Sequence, residues 1–319
     1  MSQKIVAGID IGGTYTKYGL VNESGKILKQ DSVPTTDFAT AEKFVNAIST
    51  IILREAEKIK GAELQGTGIG SPNGNYYSGT VEFAPNLRWK GIIPMAKLFM
   101  DATRLPAVLT NDAKAAAIGE MIFGAAKNMK HFYFITLGTG LGSGIVVDGK
   151  IVYGHDGFAG ELGHTTVTEN GRNCGCGRKG CLEQYCSATG ITRTYLELIS
   201  GSGRKLRIPP KRINAKFIYE KYVKKEPEAL QAFEFTGHIL GVALANACCY
   251  TSPEAIFLFG GLTQSGDAIF KPVKKSFRKN LLKIYKGKTK ILPSSLPENE
   301  AGILGASSLM WNELKKLSE

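Results

Sequence analysis

Lys4-Ile5-Val6-Ala7-Gly8-Ile9-Asp10, then Ile11-Gly12-Gly13-Thr14, then Tyr15-Thr16-Lys17-Tyr18-Gly19-Leu20-Val21 is the stretch on which the fold turns. The first seven residues are an apolar run too short for a helix and closed by an acid, which reads as a buried strand. Ile11 to Thr14 reads as a tight glycine turn, and Tyr15 to Val21 as a second strand. Asn22-Glu23-Ser24-Gly25 then turns the chain into a third strand, Lys26 to Val33. From Thr40 to Lys60 the apolar residues Phe44, Val45, Ile48, Ile51, Ile52 and Ile59 recur at helical spacing, and Gly61 ends the pattern.

The same grammar returns about 125 residues later. Phe132 to Leu137 reads as a strand, Gly138-Thr139-Gly140-Leu141-Gly142-Ser143-Gly144 as a glycine turn, and Ile145 to Val147 as a strand. Asp148-Gly149 is a hairpin signal before a return strand, Lys150 to Tyr153. The recurrence predicts an internal duplication with one phosphate-facing turn in each copy. The Gly-x-Gly spacing at 138–144 does not mark a dinucleotide fold, because a strand follows where that fold needs a helix.

Elsewhere, Ala107 to Thr110 predicts a strand ending at Asn111-Asp112, with a helix from Ala113 to Phe123. Leu182 to Lys283 is mostly helical in pattern, interrupted at Gly201-Ser202-Gly203 and Pro209-Pro210. Ala255 to Phe259 is a buried-type strand running into Gly260-Gly261, and a last helix follows Pro297-Glu298, from Ala301 to Leu317. The expected division is a first domain over 1–107, a second over 108–300, and a return of 301–319 to the first.

The 319 residues, 43% hydrophobic and 21% charged, exceed what one compact core usually takes. No apolar run is read as reaching the roughly 18 residues of a membrane span, and the N-terminus does not read as a secretory leader; a cytoplasmic protein with no membrane partner is expected. The net charge of +12 reads first as a lysine-rich solvated surface. The basic residues are scattered, with clusters at Lys274, Lys275, Arg278 and Lys279 and from Lys283 to Lys290, and no helix-turn-helix has room before Lys4. No nucleic-acid partner is expected, whereas nucleotide phosphates suit a basic protein.

Four motifs carry chemistry. Gly12 and Gly13 lack side chains, so their backbone N–H groups can approach phosphate oxygens, and Thr14 adds a hydroxyl. Asp10 suits a hydrated magnesium ion, and Lys17 a phosphate if it faces the same way. Asn111-Asp112 sits where a strand gives way to a helix; it reads either as a helix cap or as a carboxylate that takes a proton from an attacking hydroxyl. Gly163-His164 followed by Cys174-Gly175-Cys176 and Cys181 offers three thiolates and an imidazole, a set suited to a structural tetrahedral zinc. Glu161 and Glu183 flank that cluster and suit the vicinal hydroxyls of a sugar.

Taken together, the chain resembles the ROK family of sugar kinases and repressors. The resemblance rests on Asp10-Ile11-Gly12-Gly13-Thr14, Ala84-Pro85-Asn86-Leu87 with Trp89, Asn111-Asp112, Gly138-Thr139-Gly140-Leu141-Gly142, Glu161-Leu162-Gly163-His164, the Cys174, Cys176 and Cys181 cluster with Glu183, Gly260-Gly261, and Ala301-Gly302-Ile303-Leu304-Gly305-Ala306. It implies an α/β fold of two actin-like ATPase (ribonuclease H-like) domains with a cleft between them, and commonly a homodimer. It implies Asp112 as catalytic base, Asn86, Asn111, Glu161, His164 and Glu183 at a hexose, and Thr14, Gly138, Thr139, Gly140 and Gly261 at ATP. His164 is associated with both zinc and sugar. The expected activity is transfer from ATP to glucose, ahead of an N-acetylhexosamine; polyphosphate as donor and a sugar-responsive regulator are the alternatives. Pro72-Asn73 stands where many members have Pro-Gly, which makes Asn73 a candidate sugar contact.

Overall fold

The computed structural model of the chain describes residues 3–203 and 209–316, so the expected end of the last helix at Leu317 lies outside the described residues. Along the chain run β1 (Gln3–Ile11), β2 (Tyr15–Asn22), β3 (Ile27–Pro34), α1 (Ala41–Glu57), β4 (Ala62–Ser71), β5 (Gly74–Asn75), β6 (Thr80–Glu82), β7 (Ile92–Ile93), α2 (Met95–Thr103), β8 (Ala107–Asn111) and α3 (Asp112–Ile122). Then follow β9 (Phe132–Leu137), β10 (Leu141–Val147), β11 (Lys150–Ile151), α4 (Glu183–Cys186), α5 (Ala188–Gly201), α6 (Ala215–Val223), α7 (Pro227–Thr251), β12 (Ala255–Phe259), α8 (Asp267–Asn280), β13 (Lys290–Pro293) and α9 (Ala301–Lys316). They form two compact units. The first holds the residues up to Met129, Gly149–Gly160 and the segment from Ser295 onward; the second holds Lys130–Asp148 and Glu161–Ser294.

In the first unit the sheet order is β3-β2-β1-β4-β8, with β1, β2 and β3 antiparallel and β4 and β8 parallel to β1. The central strand β1 and the second half of β4 are buried because both faces are covered, whereas the edge strand β3 is polar and largely exposed. On one face α1 buries Phe44, Val45, Ile48 and Ile52, its N-terminus capped by the Thr40 hydroxyl. Phe44 meets Trp89 at 4.8 Å and Phe99 at 6.4 Å between ring centroids. On the other face α9 lies directly on β1 and β4. Gly8 abuts the Ile303 carbonyl and Gly68 the Ala306 carbonyl, so that a methyl group at either would overlap helix backbone.

The domain boundary differs from the expected 107/108. Strand β8 completes the first sheet by pairing with β4 from Thr67↔Ala107 to Ser71↔Asn111, and α3 packs on α9, so the first unit continues to Met129. A strand separated from its ladder would leave a row of buried amides unpaired.

The second unit repeats the first. Its strands run β10-β9-β12-β13, matching β2-β1-β4-β8 in order and sense: an antiparallel hairpin extended on one side by two parallel strands. The glycine turn is shorter than expected. β10 already starts at Leu141, and Gly142 and Gly144 lie in the ladder opposite Thr136 and Phe134, leaving only 138–140 to turn. The return strand is also shorter, Lys150–Ile151 instead of Lys150 to Tyr153. Helix α7, of 25 residues, is by length and composition long and apolar enough to cross a membrane, contrary to the sequence reading; most of it is buried in the second unit against α8 and α5, as a core helix.

Gly68→Ala is expected to lower stability by about 1–3 kcal/mol or more, the cost of overpacking a rigid backbone contact. Gly201→Ala, at a helix end with nothing near its missing methyl, should be neutral or slightly stabilising. Thermal or urea unfolding of the two variants checks the contrast.

Candidate active site

Functional side chains of the first unit collect at the ends of β1 and β8. Asp10, next to last in β1, lies opposite Lys17 on β2 and Gly70 on β4. Its carboxylate rests on Gly302 of α9, where any side chain would overlap it. Desolvation, then the nearby Asp112 carboxylate, push the Asp10 carboxyl up to about 6, with Lys17 pulling the other way. Gly12 donates to the Tyr15 carbonyl at 3.1 Å to close the turn, and Gly13 packs on the backbone of Asn86. The expected phosphate turn and Asn86 are therefore neighbours, and Thr14 at the turn is exposed.

Asp112 is the first residue of α3. Asn111 caps that helix, its Oδ1 accepting from the N–H groups of Ala113 (3.0 Å) and Lys114 (3.3 Å). The cap and base readings are thus divided between two residues: Asn111 caps, and Asp112 stays open to solvent. Although the residue is reachable from solvent, the protein packed around it desolvates the Asp112 carboxyl and raises it above its ordinary range, opposed by hydrogen bonds from the Ala113 N–H, its own N–H and Asn111. A carboxylate in this setting is a stronger base than one in water.

Asn73 directly precedes the β5–β6 hairpin. It sits at φ 50°, in the left-handed region where glycine is the usual residue, and its Nδ2 donates to the Glu82 carbonyl at 2.9 Å. Asparagine tolerates that conformation, which accounts for Pro72-Asn73 in place of Pro-Gly, and its amide is occupied within the β5–β6 hairpin.

In the second unit Glu183 is the hub. Its Oε2 accepts the Leu141 N–H at 3.0 Å and lies against Gly140, where a side chain would collide with it. Its Oε1 is 3.2 Å from the Gln184 amide and 4.0 Å from Cys174 Sγ. One carboxylate therefore touches both the 138–140 turn and the cysteine cluster. That turn is closed by Gly138 N–H to the Gly140 carbonyl (3.1 Å) and leaves Thr139 exposed. The Gly138 carbonyl accepts the Ala188 N–H at the start of α5, 2.8 Å away. Gly260, at φ 101°, packs on the Leu137 backbone, so Gly261 and Gly138 lie at the same ends of the paired strands β12 and β9.

His164, Cys174, Cys176 and Cys181 place one donor atom each within 4.8 Å of one another. Cys174 Sγ to His164 Nδ1 and Cys176 Sγ to Cys181 Sγ are both 3.7 Å. A tetrahedral zinc site with bonds of about 2.3 Å has edges of about 3.8 Å, so the set fits that ion. Partial burial raises the Cys176 thiol, but the Arg178 N–H, the neighbouring Cys174 and Cys181 thiols and His164 bring it down to about 7, while burial and the other two sulfurs push Cys181 up to about 11. The cluster loop is held by Arg172, which stacks 4.6 Å over the Tyr185 ring, pairs with Glu197 at 2.6 Å and donates to the Gln184 carbonyl at 2.7 Å. Glu161 is exposed, and its carbonyl accepts the His164 N–H at 3.1 Å.

Two positioning groups escaped the sequence reading. Buried Lys114, two residues after Asp112, donates to the Gly157 carbonyl at 2.7 Å, and Asn75 donates to Asp156 at 2.9 Å. Together they fix the segment that leads into Glu161 and His164. A lysine amid the alanines of α3 was the available signal.

The ROK family profile matches residues 6–313. The chain belongs to the ROK family. The glucokinase of Thermotoga maritima is 34% identical over 308 residues, 95% of this chain and 96% of that protein. The ROK family glucokinase of Streptomyces griseus, crystallised with glucose and AMPPNP, superposes with a TM-score of 0.80 at 33% identity, covering 96% of this chain and 98% of that one. The xylose repressor of Bacillus spizizenii is 28% identical over 95% of this chain and 76% of its own length. The fold of this ROK chain is accordingly the mixed α/β, two-domain actin-like one.

Because the folded Asp10 carboxyl sits near 6 instead of 3.8, its contribution to stability is complete below about pH 4 and is lost as the pH rises through about 6. Asp10→Asn should therefore gain stability over wild type between about pH 5 and 7.5 without divalent cations, and not at pH 4. Urea denaturation across that range measures it.

Proposed function

We propose that this ROK chain is an ATP-dependent glucokinase, converting glucose to glucose 6-phosphate. The observation that carries the reading is the solvent-open Asp112 carboxylate at the head of α3, its basicity raised, with a second carboxylate and a glycine turn beside it in the same unit. The glucokinases of T. maritima and S. griseus support glucose as acceptor, and the AMPPNP of the latter supports ATP as donor.

In this reading Asp112 accepts the proton of the sugar 6-hydroxyl as its oxygen attacks the γ-phosphorus and the bond to ADP breaks. Asn111 holds Asp112 in place by fixing the first turn of α3. Gly12-Gly13 with Thr14, and Gly138-Thr139-Gly140 with Gly261, offer backbone N–H groups and hydroxyls to phosphate oxygens, and Lys17 adds a positive charge. A carboxylate whose affinity for a proton is raised by burial and by a second carboxylate beside it also suits a cation, and Asp10 is the residue that would hold hydrated magnesium, which when bound neutralises phosphate charge. Asn86, Glu161, His164 and Glu183 accept and donate at the sugar hydroxyls. Asn73 supplies no amide donor, so selection against a 2-acetamido group falls to the room around Glu161 and His164. A nucleotide donor and a thiol cluster suited to metal support a cytoplasmic location.

Asp112→Asn should lower kcat by about 10² to 10⁴-fold, the usual range for losing a general base, with glucose affinity kept within a few-fold. A coupled kinase assay with glucose and N-acetylglucosamine, alongside calorimetry for glucose binding, measures both; near wild-type turnover removes Asp112 from the role. A gel shift with and without sugar tests the regulator reading suggested by the xylose repressor.

The zinc assignment gives a separate outcome. Elemental analysis should find one zinc per chain, and Cys176→Ser/Cys181→Ser should lose it. Chelation should weaken glucose binding by about tenfold or more, because His164 is a ligand and Glu183 touches Cys174.

A further inference from the structure

The basic run noted in the sequence lies outside the residues assigned above to the reaction. Between Ala268 and Pro297 the chain carries nine Lys and Arg residues and no Asp or Glu. Two of these cations are paired along or across helices, Lys271 with Asp267 at 2.9 Å and Lys275 with Glu234 at 3.0 Å. Four others surround one pocket of about 590 Å³ in the second unit. Lys274 and Arg278, one helical turn apart, stand on the α8 wall; Lys286 and Lys290 stand on the wall made by the following loop and β13. The floor is apolar, built from Phe277, Leu281 and Ile291. Among the described residues no carboxylate pairs with any of the four.

That volume falls in the range of small-molecule sites, about 300–1,000 Å³. Cations in facing pairs fit a ligand with charge at two places. The α8 C-terminus beside them carries only about half a negative charge, which four full positive charges outweigh. The pocket is also set back from the glycines that end β12. Its lining residue Lys290 pairs with Ala255, five residues or about 17 Å before Gly260, and Leu292 with Phe257, three residues or about 10 Å before it.

We propose that this pocket is a second phosphate site, binding a small molecule that carries two or more phosphate groups. The phosphates bridge the helix wall and the β13 wall, and any apolar body of the ligand lies on Phe277 and Ile291. The shared chemistry admits a nucleoside diphosphate, a sugar bisphosphate or inorganic pyrophosphate.

The test is titration calorimetry on the full chain saturated with magnesium, glucose and AMPPNP, with ADP, fructose 1,6-bisphosphate and pyrophosphate as separate probes. At least one probe should bind with a stoichiometry of one, and the tightest identifies the source. Arg278→Glu/Lys286→Glu should weaken it by about tenfold or more, as loss of charge-assisted contacts implies. Lys279→Glu, on the same helix but outside the pocket, should change it by less than about twofold, since a screened surface charge acts weakly at a distance. All three residues are exposed, so the variants should fold; Arg278→Gln/Lys286→Gln gives the same direction if the reversals do not. Absence of binding by every probe, or an equal loss in Lys279→Glu, overturns the proposal. Because the comparison is between variants, it holds whether or not AMPPNP occupies the reaction site, and failure of the kinase reading would show separately as no AMPPNP heat.

Discussion

The first unit depends on one contact: the backbone of α9 pressed against the backbones of β1, β4 and α3. Gly8 and Gly68 meet helix carbonyls, Gly305 meets the Ala115 backbone, and Gly119 meets Gly305. Gly8, Gly68 and Gly305 have no space for a methyl group, and at Gly119 one would be tight. Such proximity fixes α9 relative to the sheet far more tightly than side chains with alternative rotamers would. The chemistry inherits that precision. Gly302 on the same helix is the surface against which the Asp10 carboxylate lies, and α3, held by Gly305, starts at Asp112. The final helix of the chain thereby sets the positions of both carboxylates.

Much of this was legible because it is local. The strand, turn and strand at 3–22, the periodic helix α1 and the cap at Asn111 follow from apolar spacing and from glycine, threonine and asparagine at positions that need them. The cysteine cluster was legible because thiolate spacing constrains loops directly, and the four donors do converge. What escaped depends on partners distant in sequence. Whether Ala107 to Asn111 begins a new domain or completes an old sheet is decided by β4, some forty residues earlier. Gly142 and Gly144 differ: their partners Thr136 and Phe134 are only six and ten residues back, and glycine composition hides how early the ladder starts. Asn73 was read by its side chain, whereas its backbone angle decides its use.

In the second unit the counterpart of the α9 contact is a charge. Glu183 reaches the Leu141 amide and the edge of Gly140 with one oxygen and the Gln184 amide and Cys174 with the other. A part-buried hydrogen bond to a carboxylate is worth more than one to a neutral acceptor, and leaving either side unsatisfied is costly. The 138–140 turn and the cysteine loop are therefore set by the same side chain, so disturbance of the thiol cluster is felt at the turn.

The duplication explains why the two turns differ. Asp10 precedes Ile11-Gly12-Gly13 in β1 as Thr136 precedes Leu137-Gly138 in β9, and both hairpins close by a glycine N–H reaching a carbonyl across the turn. At the equivalent place, however, one copy has a carboxylate raised toward neutral pH and the other a hydroxyl that accepts the Gly142 N–H at 3.0 Å. A threonine satisfied by its own hairpin asks nothing of a ligand. A carboxylate next to a second carboxylate retains an electrostatic need that only a proton or a cation meets. The repeated turn thus takes two forms: in the second unit a hairpin whose threonine is satisfied internally, and in the first the same hairpin with a carboxylate that has a second carboxylate nearby.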